Sequence, residues 1–198
     1  VNVPLGVPLG YREEWCAVYH HLHQGVNLYF LEHHAVFGSR KGLYGPTPAS
    51  AYEDNARRYA FLSRGALQLS LALGLEPEVI HAHDWLTALV PANVNLIYRP
   101  AGHFVPSRIV FSIHNFGYQG VFAGSDAQNV GFSRSQLSDS HLYQGRDINF
   151  MKSAVHHSDY LVAVSPRYAL EIQQPRFGFG LHREIQRRAS RVSGILNG

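Results

Sequence analysis

Residues Arg108 to Gly120 read RIVFSIHNFGYQG, the stretch on which the fold turns. Ile109, Val110, Phe111 and Ile113 make a short, mostly β-branched apolar run. Such a run suits a strand buried on both faces of a parallel sheet. His114 and Asn115 follow at once, so two hydrogen-bonding side chains stand where a buried strand surfaces. In open α/β sheets that end is where ligands bind. Phe116, Gly117, Tyr118, Gln119 and Gly120 continue as a loop of aromatics, an amide and glycines. The mixture suits a ligand with apolar faces and hydroxyls, such as a sugar. A second reading stays open here: His114 and Asn115 only cap the segment that follows.

The same logic recurs upstream. Val79–Ala82 reads as a strand, and His83-Asp84-Trp85 sits at its C-terminal edge. Asp84 is placed to accept hydrogen bonds from sugar hydroxyls or to cap the next helix. Trp85 reads as core, since it opens an amphipathic helix over 85–98 that Pro91 bends or breaks. Downstream, 148–157 reads as helix and Tyr160–Val164 as a buried strand. Ser165-Pro166 then starts a helix through Gln173. A short helix over 182–189 and a strand over 192–196 complete the alternation. Strands alternating with helices from Val79 onward predict an α/β fold, a parallel sheet with helices on both faces.

The first half is different. Val1–Tyr11, interrupted by Pro4 and Pro8, reads as extended and irregular. Trp15–Tyr19 and Val26–Leu31 read as strands that pair as a hairpin about His23-Gln24-Gly25. Glu32–Pro48 is a loop anchored by Phe37, Arg40 and Tyr44. A helix over 50–73 follows, with Ser50 and Glu53 as a capping box, Ala56, Ala60, Leu67 and Leu71 as its buried stripe, and Gly74 as its stop. Residues 121–147 read as a long polar loop.

The 198 residues are 45% hydrophobic and 16% charged, an ordinary globular balance. The net charge of +3 is spread without a dense basic run, which speaks against nucleic acid as a partner. No apolar run is long enough to span a bilayer. A single cysteine, Cys16, leaves no internal disulfide and fits a reducing compartment. The 13 histidines invite a metal reading. No Cys-x-x-Cys, His-Glu-x-x-His or carboxylate triad accompanies them, so no metal ligands are assigned. The start without Met and the turn signal Asn197-Gly198 at the end lead us to expect a piece of a longer protein.

Taken in series, GVNLYFLEHHAVF, LYG, YEDNARRYAFLSRGAL, HAHDWLTALVP, VFSIHNFGYQGVF, INFMKSAV, VAVSPRYALEI, FGFGL and SGILNG make the chain recognisable. From about Val26 to Gly198 it resembles the N-terminal domain of bacterial glycogen synthases and plant starch synthases. The resemblance implies a Rossmann-like domain, the N-terminal, glucan-facing half of a GT-B glycosyltransferase. It implies transfer of glucose from ADP-glucose to the non-reducing end of an α-1,4-glucan, with retention and with no metal or other cofactor. It implies a cytoplasmic protein, or a plastid one in a plant or alga, with no membrane partner. On this resemblance His114 and Asp84 are the expected catalytic residues, and Asn115 and Tyr44 bind substrate while Tyr118 and Gln119 do so by shaping the floor of the glucan path. Asn149 and Lys152 in INFMK join them, with the alternative that they only tie a helix start to the preceding loop.

The chemistry fits those residue types. Glucosyl transfer passes through an oxocarbenium-like state, so dipoles and hydrogen bonds to hydroxyls matter more than a strong base. A neutral histidine orients a hydroxyl without changing charge. Three departures from the family pattern stand out. The Lys-x-Gly-Gly loop that meets the diphosphate has no match, the second, donor-binding domain is absent from the sequence, and Leu86 replaces the histidine that many members carry after the tryptophan. Another GT-B transferase with a different donor, a non-catalytic carbohydrate-binding module and a metal-binding protein are the competing readings.

Overall fold

The computed structural model describes residues 3–38, 40–47 and 49–197. It opens with an antiparallel sheet of β1 (Val3–Leu9), β2 (Arg12–His23) and β3 (Val26–Glu32), in that spatial order. The expected hairpin is present and longer than its sequence signal: Ala17 opposes Glu32 at one end and His23 opposes Val26 at the other. Gln24 and Gly25 both take positive φ, as a tight hairpin turn demands. The expectation for the start of the chain is corrected, because Val3–Leu9 is a regular strand. Pro4 and Pro8 fit there because β1 is an edge strand, where a missing N–H need not break the ladder. Val1 and Asn2 lie outside the described residues.

Helix α1 (Asn55–Ala72) packs beneath this sheet and buries Ala56, Tyr59, Ala60 and Leu67. It begins later than the capping-box reading placed it. The Ser50 hydroxyl is spent on Thr47, and Asp54 takes the N-cap position without a side-chain bond. Its end is as expected. Gly74, at φ +66°, donates to the Leu71 carbonyl, and Leu75 donates to that of Ser70, both at 2.9 Å. That pair of bonds is the Schellman arrangement. The buried Arg64 donates from Nε to Asn93 Oδ1 at 2.8 Å and so ties α1 to the next layer.

That layer is the parallel sheet. β4 (Val79–His83) is followed by α2 (Val90–Asn93), β5 (Arg108–Ile113) and a small second sheet of β6 (Val121–Ala123), β7 (Tyr143–Gln144) and β8 (Asp147–Asn149). A short α3 (Arg134–Asp139) precedes β7. After β8 come α4 (Phe150–His157), β9 (Tyr160–Ala163), α5 (Pro166–Glu171), α6 (His182–Gln186) and β10 (Val192–Gly194). β4, β5, β9 and β10 lie side by side in that order, every pair parallel, as their alternation with helices predicts. Ile109, Phe111 and Ile113 on one face of β5 are fully buried and Ser112 on the other nearly so, so the strand is covered on both sides.

Three other expectations change. The helix expected over 85–98 is a 3-10 turn (Trp85–Thr87), α2 and a π-turn (Val94–Tyr98), with Pro91 in the first turn of α2. Residues 121–147 are structured, and the side sheet they form with β8 buries Leu142 and Ile148 completely. Ile148 and Asn149, expected as the start of a helix, belong to strand β8, and Asn149 caps the helix instead.

Candidate active site

The site forms where β4, β5 and β9 end. The parallel register sets His83 beside Ser112, so Asp84 and His114 emerge at the same edge. Asp84 Oδ1 accepts the backbone N–H of His114 at 2.8 Å and that of Asn115 at 3.4 Å. Its own backbone N–H continues the ladder to the Ser112 carbonyl at 2.9 Å. Asp84 sits at φ +53°, a conformation that costs a side-chain-bearing residue about 1 kcal/mol or more. The carboxylate therefore shapes the loop after β5. Asp84→Ala should cost about 1–2 kcal/mol, because two backbone donors lose a charged acceptor. Asp84→Asn, which keeps an oxygen, should retain most of that. Urea denaturation of the two variants checks this, and equal loss in both would show that the oxygen is not what holds the loop.

The loop itself is built from within. Asn115 Oδ1 accepts from the Gly117 N–H at 3.0 Å, and the Tyr118 N–H donates to the Asn115 carbonyl at 3.2 Å. Tyr168 on α5 receives the Phe116 N–H at its hydroxyl, 2.8 Å away, and burial pushes that phenol's pKa up. His114, Asn115 and Tyr118 are left exposed around this frame. Phe179, itself at positive φ, lies against Gly117 and brings the FGFG loop to the same face.

Gln119 and Asn149 face inward beneath the loop, Gln119 in the floor where the resemblance put it. Both are buried. Gln119 Nε2 donates to the Phe116 and Phe179 carbonyls at 3.1 and 3.3 Å. Asn149 Nδ2 donates to Gln119 Oε1 at 2.6 Å and to Gln144 Oε1 at 2.7 Å, while its Oδ1 caps α4 through the Lys152 N–H at 3.0 Å. Every amide hydrogen of the pair is thus spent inside the chain, holding the floor beneath the loop. Lys152 ties its ammonium to the Tyr143 carbonyl. The tie between helix start and preceding loop, the alternative for Asn149 and Lys152, is what the structure contains.

Tyr44 joins an aromatic ladder on Trp85, the residue after Asp84. Its ring lies 5.7 Å from that of Trp85, which meets Tyr59 edge-on at 4.6 Å. Trp85 is core, as expected. The loop carrying Tyr44 hangs on Arg58, which is buried. Arg58 donates to the Val36 carbonyl at 3.0 Å, the Leu43 carbonyl at 3.1 Å and Asn55 Oδ1 at 2.6 Å, and Tyr59 adds its hydroxyl to Leu43. Sequence reasoning singled out neither Arg58 nor Tyr168, nor His83, whose Nδ1 lies 3.1 Å from His114 Nε2. The sequence signal for His83 was its place at the strand end beside Asp84. Among the described residues no group of three or more His, Cys, Asp or Glu is arranged to hold a metal ion.

Comparison with known proteins agrees with this architecture. The family model for the starch synthase catalytic domain matches residues 1–187. A glycogen synthase of Koribacter versatilis is 40% identical over 174 residues, covering 88% of this chain and 35% of the relative. A glycogen synthase of Desulfitobacterium hafniense is 38% identical over 194 residues, covering 97% of this chain and 40% of its own. The solved catalytic domain of Starch Synthase IV from Arabidopsis thaliana, bound to ADP and acarbose, superposes with a TM-score of 0.87 at 31% identity over 100% of this chain and 40% of that one. The chain thus spans well under half the length of these relatives. The match across 1–187, added to the parallel sheet and its shared C-terminal edge, shows that the chain belongs to the starch synthase catalytic domain family.

Proposed function

We propose that this chain forms the glucan-facing wall of a GT-B glycosyltransferase that moves glucose from ADP-glucose to the non-reducing end of an α-1,4-glucan with retention. The observation that carries the reading is the convergence of Asp84, His114 and Asn115 at one edge of the parallel sheet. Glycogen synthases among the relatives and an ADP-bound starch synthase among the structural neighbours support the same donor and acceptor. In this reading His114 touches a hydroxyl of the transferred glucose, while Asn115, Tyr118 and Tyr44 line the glucan path. Asp84 acts through the backbone of His114, and Gln119 and Asn149 act from below. The reaction belongs to the cytoplasm in a bacterium and to the plastid in a plant or alga. Among the described residues no helix is long and apolar enough to cross a membrane.

Hydrogen bonds from a single wall hold a glucan weakly, since each contributes only about 1 kcal/mol net. A polypeptide limited to these 198 residues should therefore bind maltooligosaccharide weakly and transfer no glucose. In the enzyme that carries this domain, His114→Ala should lower turnover at least roughly tenfold while glucan affinity changes far less, because its contact lies at the reacting sugar. Incorporation of radiolabelled ADP-glucose into glycogen measures both. Wild-type turnover in the variant would place the chemistry elsewhere.

A further inference from the structure

His81, His83 and His114 form a row of imidazoles along the site edge. His81 and His83 leave β4 on one face, as residues two apart in a strand must. Their rings lie 4.1 Å apart, and His81 Nε2 bonds the Ser112 hydroxyl at 2.8 Å. The His83 and His114 rings are 5.4 Å apart, bridged by the 3.1 Å contact from Nδ1 to Nε2. Both backbones are fixed independently of that contact. The His83 N–H donates to the Thr87 hydroxyl at 2.6 Å, and that hydroxyl donates to the His83 carbonyl at 2.7 Å. The backbone N–H of His114 is held by Asp84.

We propose that His83 is a positioning residue for His114: the bond from Nδ1 to Nε2 fixes the His114 ring in one rotamer, ties its tautomer to that of His83 and leaves its Nδ1 as the nitrogen presented to the sugar. The inference rests on the reading that His114 meets the transferred glucose.

The physical basis is that a bond between two neutral imidazoles holds a single proton. If both facing nitrogens carry hydrogen they clash, and if neither does, two lone pairs oppose each other. The tautomer of one ring therefore dictates that of the other. Burial and the neighbouring imidazoles lower the pKa of His83, and burial with His114 lowers that of His81, so the charged forms of these two rings are disfavoured. His81 contributes its tilted ring, packed 4.1 Å from that of His83. An exposed histidine without such a partner would sample several rotamers in water. One held this way meets a sugar hydroxyl with its ring already oriented, which lowers the reorganisation needed at the moment of reaction.

The test is imidazole nitrogen NMR on the 198-residue chain. The expected result is a scalar coupling across the hydrogen bond between His83 Nδ1 and His114 Nε2, with side-chain couplings that report one His114 rotamer. His83→Phe keeps a ring beside His81 and removes the nitrogen, so His114 should average over rotamers. His83→Asn returns a polar group near the same point and should restore a single rotamer. Absence of the coupling in the wild type, or an unchanged His114 rotamer in His83→Phe, overturns the inference, and the wild-type measurement alone decides if the variants do not fold. In the enzyme that carries this domain, His83→Phe should lower kcat several-fold with little change in KM for glucan, and His83→Asn should recover part of it. A His114→Ala enzyme of normal turnover would defeat the functional reading while the coupling still reports on the positioning, so the two failures are distinguishable.

Discussion

Gly120→Ala is expected to destabilise the domain by about 2–4 kcal/mol. Gly120 sits at φ +65°, where a Cβ costs about 1–2 kcal/mol in backbone strain. The added methyl would also lie 2.8 Å from Cε3 of Trp85 and 3.2 Å from Cβ of Phe150. Neither neighbour is free to retreat. Trp85 is wedged between Tyr44, Tyr59 and Phe122, and Phe150 is fully buried with its N–H on the Gly120 carbonyl. Forcing an extra methyl into such packing typically costs about 1–3 kcal/mol. The chain supplies its own control. Gly74 has the same backbone, φ +66°, with nothing within 4 Å of where its Cβ would stand. Gly74→Ala should cost only the backbone part. At roughly 2–4 °C per kcal/mol for a domain of this size, melting temperatures of the two variants should separate clearly. Equal losses in both would mean that the ladder from Tyr44 to Trp85 is loose, and with it the approach of Tyr44 to the site.

Acidification from pH 7 to 4 should cost up to about 3 kcal/mol through His157 alone. Its hydrogen bonds demand the neutral ring: Nε2 donates to the Asp139 carbonyl at 3.1 Å, and Nδ1 accepts from Asn95 Nδ2 at 3.3 Å. Asn95 cannot turn over to help, because its oxygen is held by Arg99 and its nitrogen also donates to the His157 carbonyl. Burial, and then the charges of His141 and His156, bring the His157 pKa down from 6.5 to about 4, against a smaller upward pull from the Asp139 and Ser140 carbonyls. His141 stacks on His156 at 4.0 Å, and burial lowers His156 as well, opposed by Glu184. A base whose folded pKa lies below its unfolded value binds fewer protons when folded. Its contribution is complete above about 6.5 and is lost as pH falls through the window down to about 4, at about 1.4 kcal/mol per unit. Glu14 and Glu184, whose carboxyls are lowered by their basic partners, lose their contributions only below about 4.5. Urea midpoints between pH 6.5 and 4.5 therefore report the histidines, and His157→Gln should flatten that slope. A variant with the wild-type slope would show that His157 accepts a proton in the folded state.

The chain's own order announced the parallel sheet. Each of its strands carries a β-branched or apolar run bounded by polar ends, and a helix or turn signal separates it from the next. Ser165-Pro166 at the start of α5 and Gly74 at the end of α1 act where the sequence placed them, because capping depends only on neighbours in the chain. Elements that earn their burial from distant residues were not legible. Residues 121–147 carry no periodic pattern because their strands are two or three residues long and are stabilised by Leu142 and Ile148 packing inward. Pro4 and Pro8 masked β1, since nothing local reveals that a strand lies at an edge. The partners of the two amides were hidden for the same reason. Gln119 and Asn149 are 30 residues apart, and only the pairing of the β5 loop with the start of α4 shows that they bond each other.

What the sequence determined by itself is the layer order, the strands that end at the site and the side chains that surface there, because hydrophobic period and caps are properties of short segments. The tertiary structure decided which of those side chains face a ligand and which hold the frame. Asp84 and His114, 30 residues apart, meet because the parallel register of β4 and β5 sets His83 beside Ser112, and the same register sets His83 against His114. A register is fixed by the summed packing of two buried strand faces, a sum over the whole core that no window of sequence contains.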